Sequence, residues 1–209
     1  MKVVPFVYDD IDDLIANTYV IINNNECVVV DPSHDYDGII AYILKNGLTP
    51  KAILLTHGHF DHIRGVDCLK NRFSIPVYIG FYDLPKLKDT FTNCSAFVEG
   101  ADTIVESEAE SVADNDILSL LDDEIVCIET PFHTNGSICY YFKNSGLLFS
   151  GDFLFKGSVG RSDLPTARPK EFENSLAKIM KLPDDVKVYP GHGGITSIGV
   201  ERVSNRFVK

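Results

Sequence analysis

A compact cluster of potential metal ligands lies in residues 56–62, where the sequence reads Thr-His-Gly-His-Phe-Asp-His. Neutral imidazole and carboxylate groups suit zinc, iron, manganese or cobalt, and the lack of cysteine in the cluster disfavours a closed structural zinc site. Three histidines and one aspartate within six residues are hard to explain as ordinary loop or core residues. The sequence therefore predicts an open, catalytic metal site here.

The residues around this cluster predict how its side chains are positioned. The apolar run 52–55 is typical of a buried strand, so the cluster follows the end of a core strand, where α/β sheets carry their functional sites. In an extended loop, His57 and His59 project in the same direction. The next two ligands begin a helix predicted over residues 61–73. Two pairs of ligands with different directions predict two metal ions rather than one.

The rest of the chain predicts two sets of strands with helices between them. Strands are predicted at residues 3–8, 17–23, 27–30, 77–79, 125–129, 137–142, 146–150 and 186–189. Helices are predicted at 36–45 and 170–181, and short helices and loops at 81–116. At 209 residues, we expect one α/β domain, residues 1–209, in which two mixed sheets pack together and are covered by helices.

Three further potential ligands follow the ends of predicted strands. His133, Asp152 and His192 each lie in a turn-like context directly after an apolar run. A series of strand-end loops that each deliver one ligand is the arrangement that a two-metal site requires. His34 is the remaining histidine, and we interpret it as a loop residue.

Charge and cysteine usage restrict the partners and the compartment. The formal net charge is −11, and the segment 99–124 contains ten acidic and no basic residues. We expect this segment to be a solvated face, and it disfavours nucleic acid, which binds through lysine and arginine.

No apolar stretch is long enough to span a membrane, and we expect no leader peptide. Five scattered cysteines without a C-x-x-C pair indicate a reducing compartment, so we expect a cytoplasmic protein acting on a small molecule. The oligomeric state stays open.

Taken together, the motifs resemble those of the metallo-β-lactamase-fold hydrolases, and more closely the glyoxalase II (hydroxyacylglutathione hydrolase) branch in its short bacterial form. The matching motifs cover most of the chain: Asp31-Pro32, Thr56 to His62, His133-Thr134, Gly151-Asp152, Gly160 to Leu164, and Tyr189 to Gly193. The resemblance implies an αββα sandwich with the site at one edge. It also implies how the ligands are divided between two metals: His57, His59 and His133 on one, Asp61, His62 and His192 on the other, and Asp152 bridging both.

The resemblance implies hydrolysis of a small thioester, such as an S-acylglutathione, by a hydroxide that bridges two divalent ions. Zinc is the first expectation, and iron or manganese are the alternatives. Asp61 is the expected catalytic residue, because it can hold the proton of the hydroxide as well as bind metal. Asp31 and Thr56 are expected to orient the ligating imidazoles, and a structural turn residue is the alternative role of Asp31. Arg161 matches a position that resembles the family's contact to a substrate carboxylate, and its alternative role is a surface ion pair with Asp163.

The sequence departs from the family pattern in two places. Residues 131–137 read Pro-Phe-His-Thr-Asn-Gly-Ser, whereas the family usually has Pro-Gly-His-Thr-Pro-Gly-Ser. We expect Phe132 and Asn135 to reshape the pocket or loosen the loop around His133. Typical glyoxalase II enzymes continue beyond the last histidine into a helical domain that contacts glutathione. Sixteen residues follow Gly193, so we expect those contacts to be missing.

Other functions remain open at this point. A mononuclear-iron persulfide dioxygenase resembles glyoxalase II but uses chiefly His57, His133 and Asp152, and the intact second set of ligands favours the hydrolase over it. The same hydroxide would attack esters, so a lactonase or esterase is a further alternative, as is a metal-binding module without catalysis. Antibiotic hydrolysis is disfavoured, because His62 stands where the commonest zinc β-lactamases carry arginine.

Overall fold

Two mixed six-stranded sheets lie face to face in the structure, a computed structural model that describes residues 1–6, 15–34, 36–98 and 102–208. The strands of the first sheet are, in spatial order, β1 (Lys2–Phe6), β2 (Thr18–Asn23), β3 (Glu26–Val30), β4 (Thr49–Leu55), β5 (Val77–Gly80) and β6 (Glu110–Val112). Strands β1 to β3 pair antiparallel, and β3 to β6 pair parallel. The carboxyl ends of the parallel strands therefore meet at one edge of this sheet.

The second sheet begins with the meander β7 (Ile117–Leu120), β8 (Asp123–Glu129), β9 (Ile138–Phe142) and β10 (Leu147–Gly151). A small hairpin of β11 (Leu154–Phe155) and β12 (Ser158–Val159) follows. The sheet is completed by β13 (Lys187–Pro190), parallel to β10, and by β14 (Thr196–Ser197) at its edge. This parallel pair places the ends of β10 and β13 side by side.

Helices cover the outer faces of both sheets. They are α1 (Tyr36–Lys45), α2 (Phe60–Ile63), α3 (Val66–Phe73), α4 (Phe172–Ile179) and α5 (Ile198–Ser204), with 3-10 turns at Phe81–Lys88, Ser95–Phe97 and Pro169–Glu171. Residues of α1 and α3 pack in one apolar cluster with the first sheet, and residues of α4 and α5 pack in another with the second. The predicted αββα order is therefore confirmed. None of the described helices is long and apolar enough to cross a membrane.

The alternation of side chains along the strands explains this layering. In β2, Tyr19 and Ile21 enter the core between the sheets, whereas Val20 and Ile22 face the helices. Successive side chains of a strand point to opposite faces, so a strand that is apolar on both faces is buried on both. The run Ala52–Ile53–Leu54–Leu55 in β4 behaves in the same way and is fully buried. The cluster at residues 56–62 therefore follows directly from a strand that is buried on both faces.

Most predicted elements are present, with three corrections. The helix predicted over 61–73 is broken into α2 and α3, because the N–H of Gly65 donates to Pro32 O at 2.8 Å and any larger residue there would press on Pro32. The region 81–116 contains, besides its short helical turns, the strand β6, which lacks an apolar alternation. The strands β7, β11, β12 and β14 and the helix α5 were not predicted. Residues 7 and 8 of the first predicted strand lie outside the described residues.

The acidic segment lies largely at the surface, as predicted for a solvated face. Among its described residues, Glu106, Glu108 and Asp116 are exposed. Asp123 differs, because it is buried and accepts hydrogen bonds from the main-chain N–H groups of Asn144 and Ser145 at 2.8 and 3.1 Å. That carboxylate therefore holds the turn between β9 and β10.

Candidate metal centre

All seven predicted metal ligands converge at one edge of the sandwich, where the strands that deliver them end. They lie after β4 (His57, His59), in α2 (Asp61, His62), and after β8, β10 and β13 (His133, Asp152, His192). Two sets of three residues each bring their donor atoms within 4.8 Å of one another. We call them the three-histidine group (His57, His59, His133) and the mixed group (Asp61, His62, His192). Asp152 forms a third such set with His57 and His62, and so lies between the two groups.

The spacing of donor atoms in the cluster resembles that around an ion. Two ligand atoms, each about 2.1 Å from a tetrahedral ion, are about 3.4 Å apart. Asp152 Oδ1 lies 3.4 Å from His62 Nε2. Its Oδ2 lies 3.5 Å from Nε2 of both His133 and His192. One pair is closer, since His59 Nδ1 and His133 Nε2 are 2.9 Å apart, which is a hydrogen-bonding distance.

Buried polar atoms without a partner also concentrate in this cluster. Among the described residues, five buried side-chain atoms lack a hydrogen-bond partner, and four of them belong to the cluster: Nε2 of His57, His59 and His62, and Oδ1 of Asp152. Leaving a buried donor or acceptor unpaired costs free energy. Lone pairs of buried imidazole nitrogen and carboxylate oxygen are what divalent metal ions bind, so the residues present fit such ions.

Asp31 and Thr56 contact two of the imidazoles from behind. The Nδ1–H of His62 donates to Asp31 Oδ2 at 2.9 Å. Thr56 Oγ1 donates to the same carboxylate oxygen at 2.6 Å, and it lies 3.2 Å from His57 Nδ1. Since the threonine proton goes to Asp31, Thr56 Oγ1 is left to accept from His57. An imidazole that donates from Nδ1 presents the lone pair of Nε2, here towards the cluster.

Arg161 contacts the site through its main chain as well as its side chain. The Nδ1–H of His133 donates to Arg161 O at 2.7 Å, a contact that residue types cannot predict because every residue has a carbonyl. The guanidinium donates to both carboxylate oxygens of Asp163 at 2.7 and 2.8 Å, and both side chains are mostly exposed. The structure thus contains the ion pair that was the alternative for Arg161. A substrate carboxylate would have to replace Asp163.

Burial and charge set the protonation of the cluster. Burial lowers the pKa of His57 well below its ordinary value and that of His59 to about 3, and neighbouring imidazoles add to both shifts. Burial also opposes a charge on His62, but the surrounding carboxylates, Asp61 first, outweigh it and raise its pKa well above the ordinary value. For Asp152, burial alone would raise the pKa, but nearby imidazoles hold it well below the usual range. Neutral imidazoles and an ionised carboxylate are the forms that bind metal, and a metal would take the place of the His62 proton.

The loop that carries His192 is held by the start of β2. Asn17 donates from its main chain to Gly191 O at 2.7 Å and from its side chain to Pro190 O and Gly193 O at 3.1 and 3.0 Å. Tyr19 Oη donates to Pro190 O at 2.7 Å. At Gly191, a Cβ atom would collide with the Asp152 carboxylate. Only glycine lets this loop approach the bridging position so closely.

A buried ion pair supports the loops of the three-histidine group. The Lys86 ammonium donates to Asp83 Oδ1 and to Asn135 Oδ1, both at 2.6 Å, and Lys86 is 2% exposed. The other oxygen of Asp83 accepts from Gly58 N–H and from Thr134 Oγ1, both at 2.8 Å. Gly58 lies between two ligating histidines and Thr134 follows the third, so one fully buried carboxylate ties both loops together. This pair was not predicted from the sequence.

The two departures from the family motif have different outcomes. Phe132 is 6% exposed and packs against Phe153 and Phe172, with ring centroids 6.1 and 4.7 Å apart, so it fills the core under α4. Asn135 accepts the hydrogen bond from Lys86. Asn135 therefore fastens the loop, and the expectation that it loosens the loop is wrong in this respect. Phe132 does not lie among the residues that line the cavity above the cluster.

The chain matches the family model of the metallo-beta-lactamase superfamily over residues 11–192, and it belongs to that superfamily. It is 34% identical over 194 residues to the probable metallo-hydrolase YqgX of Bacillus subtilis (strain 168), with 92% of each chain covered. It is 31% identical over 196 residues to the hydroxyacylglutathione hydrolase GloC of Haemophilus influenzae (strain ATCC 51907), with 89% of each covered. Family and site together define a metal-dependent hydrolase whose His/Asp cluster is suited to divalent metal.

Two solved structures agree with this assignment. The BLEG-1 B3 metallo-beta-lactamase has a TM-score of 0.91 and 36% sequence identity, covering 99% of each chain. TTHA1623 in a di-iron-bound form has a TM-score of 0.85 and 32% identity, covering 98% of this chain and 99% of that one. Similarity over nearly the whole length confirms the fold that the sequence motifs implied.

Proposed function

We propose that this protein is a dinuclear metal-dependent hydrolase of a small thioester, similar to hydroxyacylglutathione hydrolase. The observation that carries the proposal is the mixed group, which converges beside the three-histidine group with Asp152 between them. A mononuclear site would not need this second set of donors. The likeness to GloC supports the thioester class, and the likeness to the di-iron form of TTHA1623 supports two ions. Zinc is the metal we propose first, with iron or manganese as alternatives.

Asp61 and Asp31 have different roles in the proposed reaction. Two divalent ions, when bound, would supply a hydroxide nucleophile at neutral pH and neutralise charge on the carbonyl oxygen. Asp61 Oδ2 lies 3.2 Å from His192 Nε2. From there its carboxylate can hold the proton of the nucleophile and orient the attacking lone pair. Asp31 keeps His62 in position. A thiolate leaves readily, so the site needs no separate acid for it.

The test is turnover of a generic thioester by protein expressed with zinc or with iron, with metal content measured on the same samples. Thiol release that requires metal and disappears in His59→Ala would support the hydrolase. Lys70→Ala is a suitable control, because Lys70 is on the outer helix α3 and its ammonium donates to Glu108 O at the surface. Metal-loaded protein without turnover of any thioester or ester would contradict the proposal. Lactones and oxygen esters belong in the same panel, since the same nucleophile attacks them.

The likeness to BLEG-1 favours β-lactam hydrolysis as a second candidate, at 36% identity over nearly the full length. This weighs against the expectation drawn from His62. A chromogenic cephalosporin measures that activity directly. A kcat/KM for the cephalosporin above that for every thioester in the panel would make β-lactam hydrolysis the main function.

We also infer a small-molecule substrate and a cytoplasmic location. The net charge of −11 disfavours nucleic acid as a partner, and the scattered cysteines favour a reducing compartment. All five cysteines are free thiols in the structure. No membrane partner is proposed.

A further inference from the structure

A cavity of about 460 Å³ opens directly onto the cluster of donors. Its floor consists of potential metal ligands from both groups, including His59, Asp152 and His192. Its walls are formed by apolar side chains: Phe60, Cys94, Phe97, Val98, Phe155 and Leu164. A cavity of this size suits one small molecule rather than a large cofactor-like one. A group bound at the floor must therefore carry an apolar substituent against the walls.

The charge of the cavity limits what that substituent can be. Arg161 is the cation among the described lining residues, and one edge of its guanidinium, through Nε and Nη2, already donates to Asp163. Burying a carboxylate against apolar walls without a partner is costly. An acyl group that carries a carboxylate would find, among the described residues of the wall, one mostly exposed cation that is already paired. The wall thus favours a neutral, apolar group.

The apolar wall is held in place before any substrate binds. Phe155 lies edge-on to His192, with ring centroids 6.0 Å apart. Its hairpin is fastened by the fully buried Glu201, which accepts from Gly157 N–H at 2.8 Å. Phe97 contacts Phe91, with centroids 5.2 Å apart, yet it remains 57% exposed. An exposed aromatic ring at the mouth of a cavity gains from being covered by an apolar group.

We propose that the substrate is a thioester with an apolar acyl group, which lies against Phe97, Phe155 and Leu164. This inference rests on the proposed thioester hydrolysis and names its substrate class. The scissile carbonyl sits over the donors on the cavity floor, the acyl group fills the apolar side, and the thiol part extends through the opening. The acyl group takes the enclosed side because a volume of about 460 Å³ holds a small substituent, whereas the thiol part is free to reach solvent.

The test is a series of thioesters that share one neutral thiol, N-acetylcysteamine, and carry acetyl, butanoyl, hexanoyl or lactoyl groups. With metal-loaded protein, kcat/KM is expected to rise by roughly fourfold for each added methylene group that is buried. The lactoyl ester is expected to be a poorer substrate than the butanoyl ester. A second series with a constant butanoyl group and different thiols is expected to vary much less, including the glutathione thioester.

The matched variants are Phe97→Ala and Phe81→Ala. Both side chains are exposed to a similar extent, 57% and 58%, but only Phe97 lines the cavity among the described residues. Phe97→Ala is expected to reduce the preference for hexanoyl over acetyl by about tenfold, Phe97→Leu to restore most of it, and Phe81→Ala to leave it unchanged.

Different results would contradict the proposed thioester hydrolysis and the proposed apolar acyl group. Turnover of all thioesters at similar rates, or a preference for the lactoyl or glutathione ester, would overturn the apolar acyl group and leave the hydrolase standing. Absence of turnover for every thioester would overturn the hydrolase, and this inference with it.

Discussion

The two groups of donors share one cavity floor but differ in charge and exposure. The residues of the three-histidine group are 1–3% exposed, and burial lowers the pKa of His57 and His59. The mixed group carries a carboxylate, and the side chain of His192 is 35% exposed. The difference indicates that an ion held by the three-histidine group would be enclosed, whereas one held by the mixed group would lie nearer to solvent on the side of His192. A metal in the mixed group should therefore exchange more easily.

The largest expected effect comes from the residue between the two groups. Asp152→Ala removes contacts at 3.4–3.5 Å to His62, His133 and His192, so both metals should be lost together. Thioester turnover should fall on the order of 10³-fold or more, because the transition-state charge loses its stabilisation. Elemental mass spectrometry and kinetics on the same sample measure both. Glu124→Ala, which removes an exposed carboxylate paired with Lys143, is the control. Retention of one full metal equivalent would show that Asp152 serves a single group.

Lys86→Met tests how the loops of the three-histidine group are supported. It leaves the fully buried Asp83 without its cation, and removing one partner of a buried pair costs about 3–5 kcal/mol. Chemical denaturation should show that loss of stability, with metal loss concentrated in the three-histidine group. The double variant Asp83→Asn/Lys86→Met should recover part of the stability. A single variant as stable as the wild type would mean that the pair does not support the loops.

Asp31→Asn tests the mixed group, because Asp31 accepts a hydrogen bond from His62 of that group at 2.9 Å. Replacing this carboxylate should weaken the metal in the mixed group by roughly 10–100-fold. The metal in the three-histidine group should change less, because Asp31 reaches His57 only through Thr56 Oγ1. Competition with a chelator, followed by metal analysis, measures the two affinities. Asp67→Asn is the control, because Asp67 accepts from the main-chain N–H groups of Glu106 and Ser107 and belongs to none of the donor sets. Equal weakening of both metals would contradict a selective role.

The smallest effect is expected at the exposed pair of Arg161 and Asp163. Asp163→Ala frees the guanidinium, so KM for a thioester that carries a carboxylate should fall by at most about fivefold, as is usual for exposed ion pairs. KM for a neutral thioester should not change. Arg161→Ala should abolish this gain in the double variant. A large change in kcat would instead place Arg161 in the chemical step.

The convergence of the seven potential metal ligands could be predicted from the sequence because the signals for it are local. Four potential ligands lie within six residues, and the other three directly follow apolar strands. Asp31 was also expected behind an imidazole, and the structure places it against His62. Assignment of each residue to a metal remains a prediction until an ion is observed.

The supporting contacts could not be predicted because they join residues that are distant in the chain or use the main chain. Lys86 and Asn135 are separated by 49 positions, and nothing near either residue indicates the other. The acceptor behind His133 is a carbonyl, which any residue at position 161 would offer. The break in the predicted helix depends on how closely Gly65 approaches Pro32, which only the packed structure reveals.

The most direct test of the two-metal account is metal stoichiometry and thioester turnover in the wild type and in His192→Ala, each expressed with zinc and with iron. We predict two metals per chain in the wild type, one in the variant, and strongly reduced turnover in the variant. His192 belongs only to the mixed group, so the three-histidine group should keep its ion. One iron per chain in both proteins, with oxygen consumed on a glutathione persulfide, would contradict the hydrolase and identify a mononuclear dioxygenase.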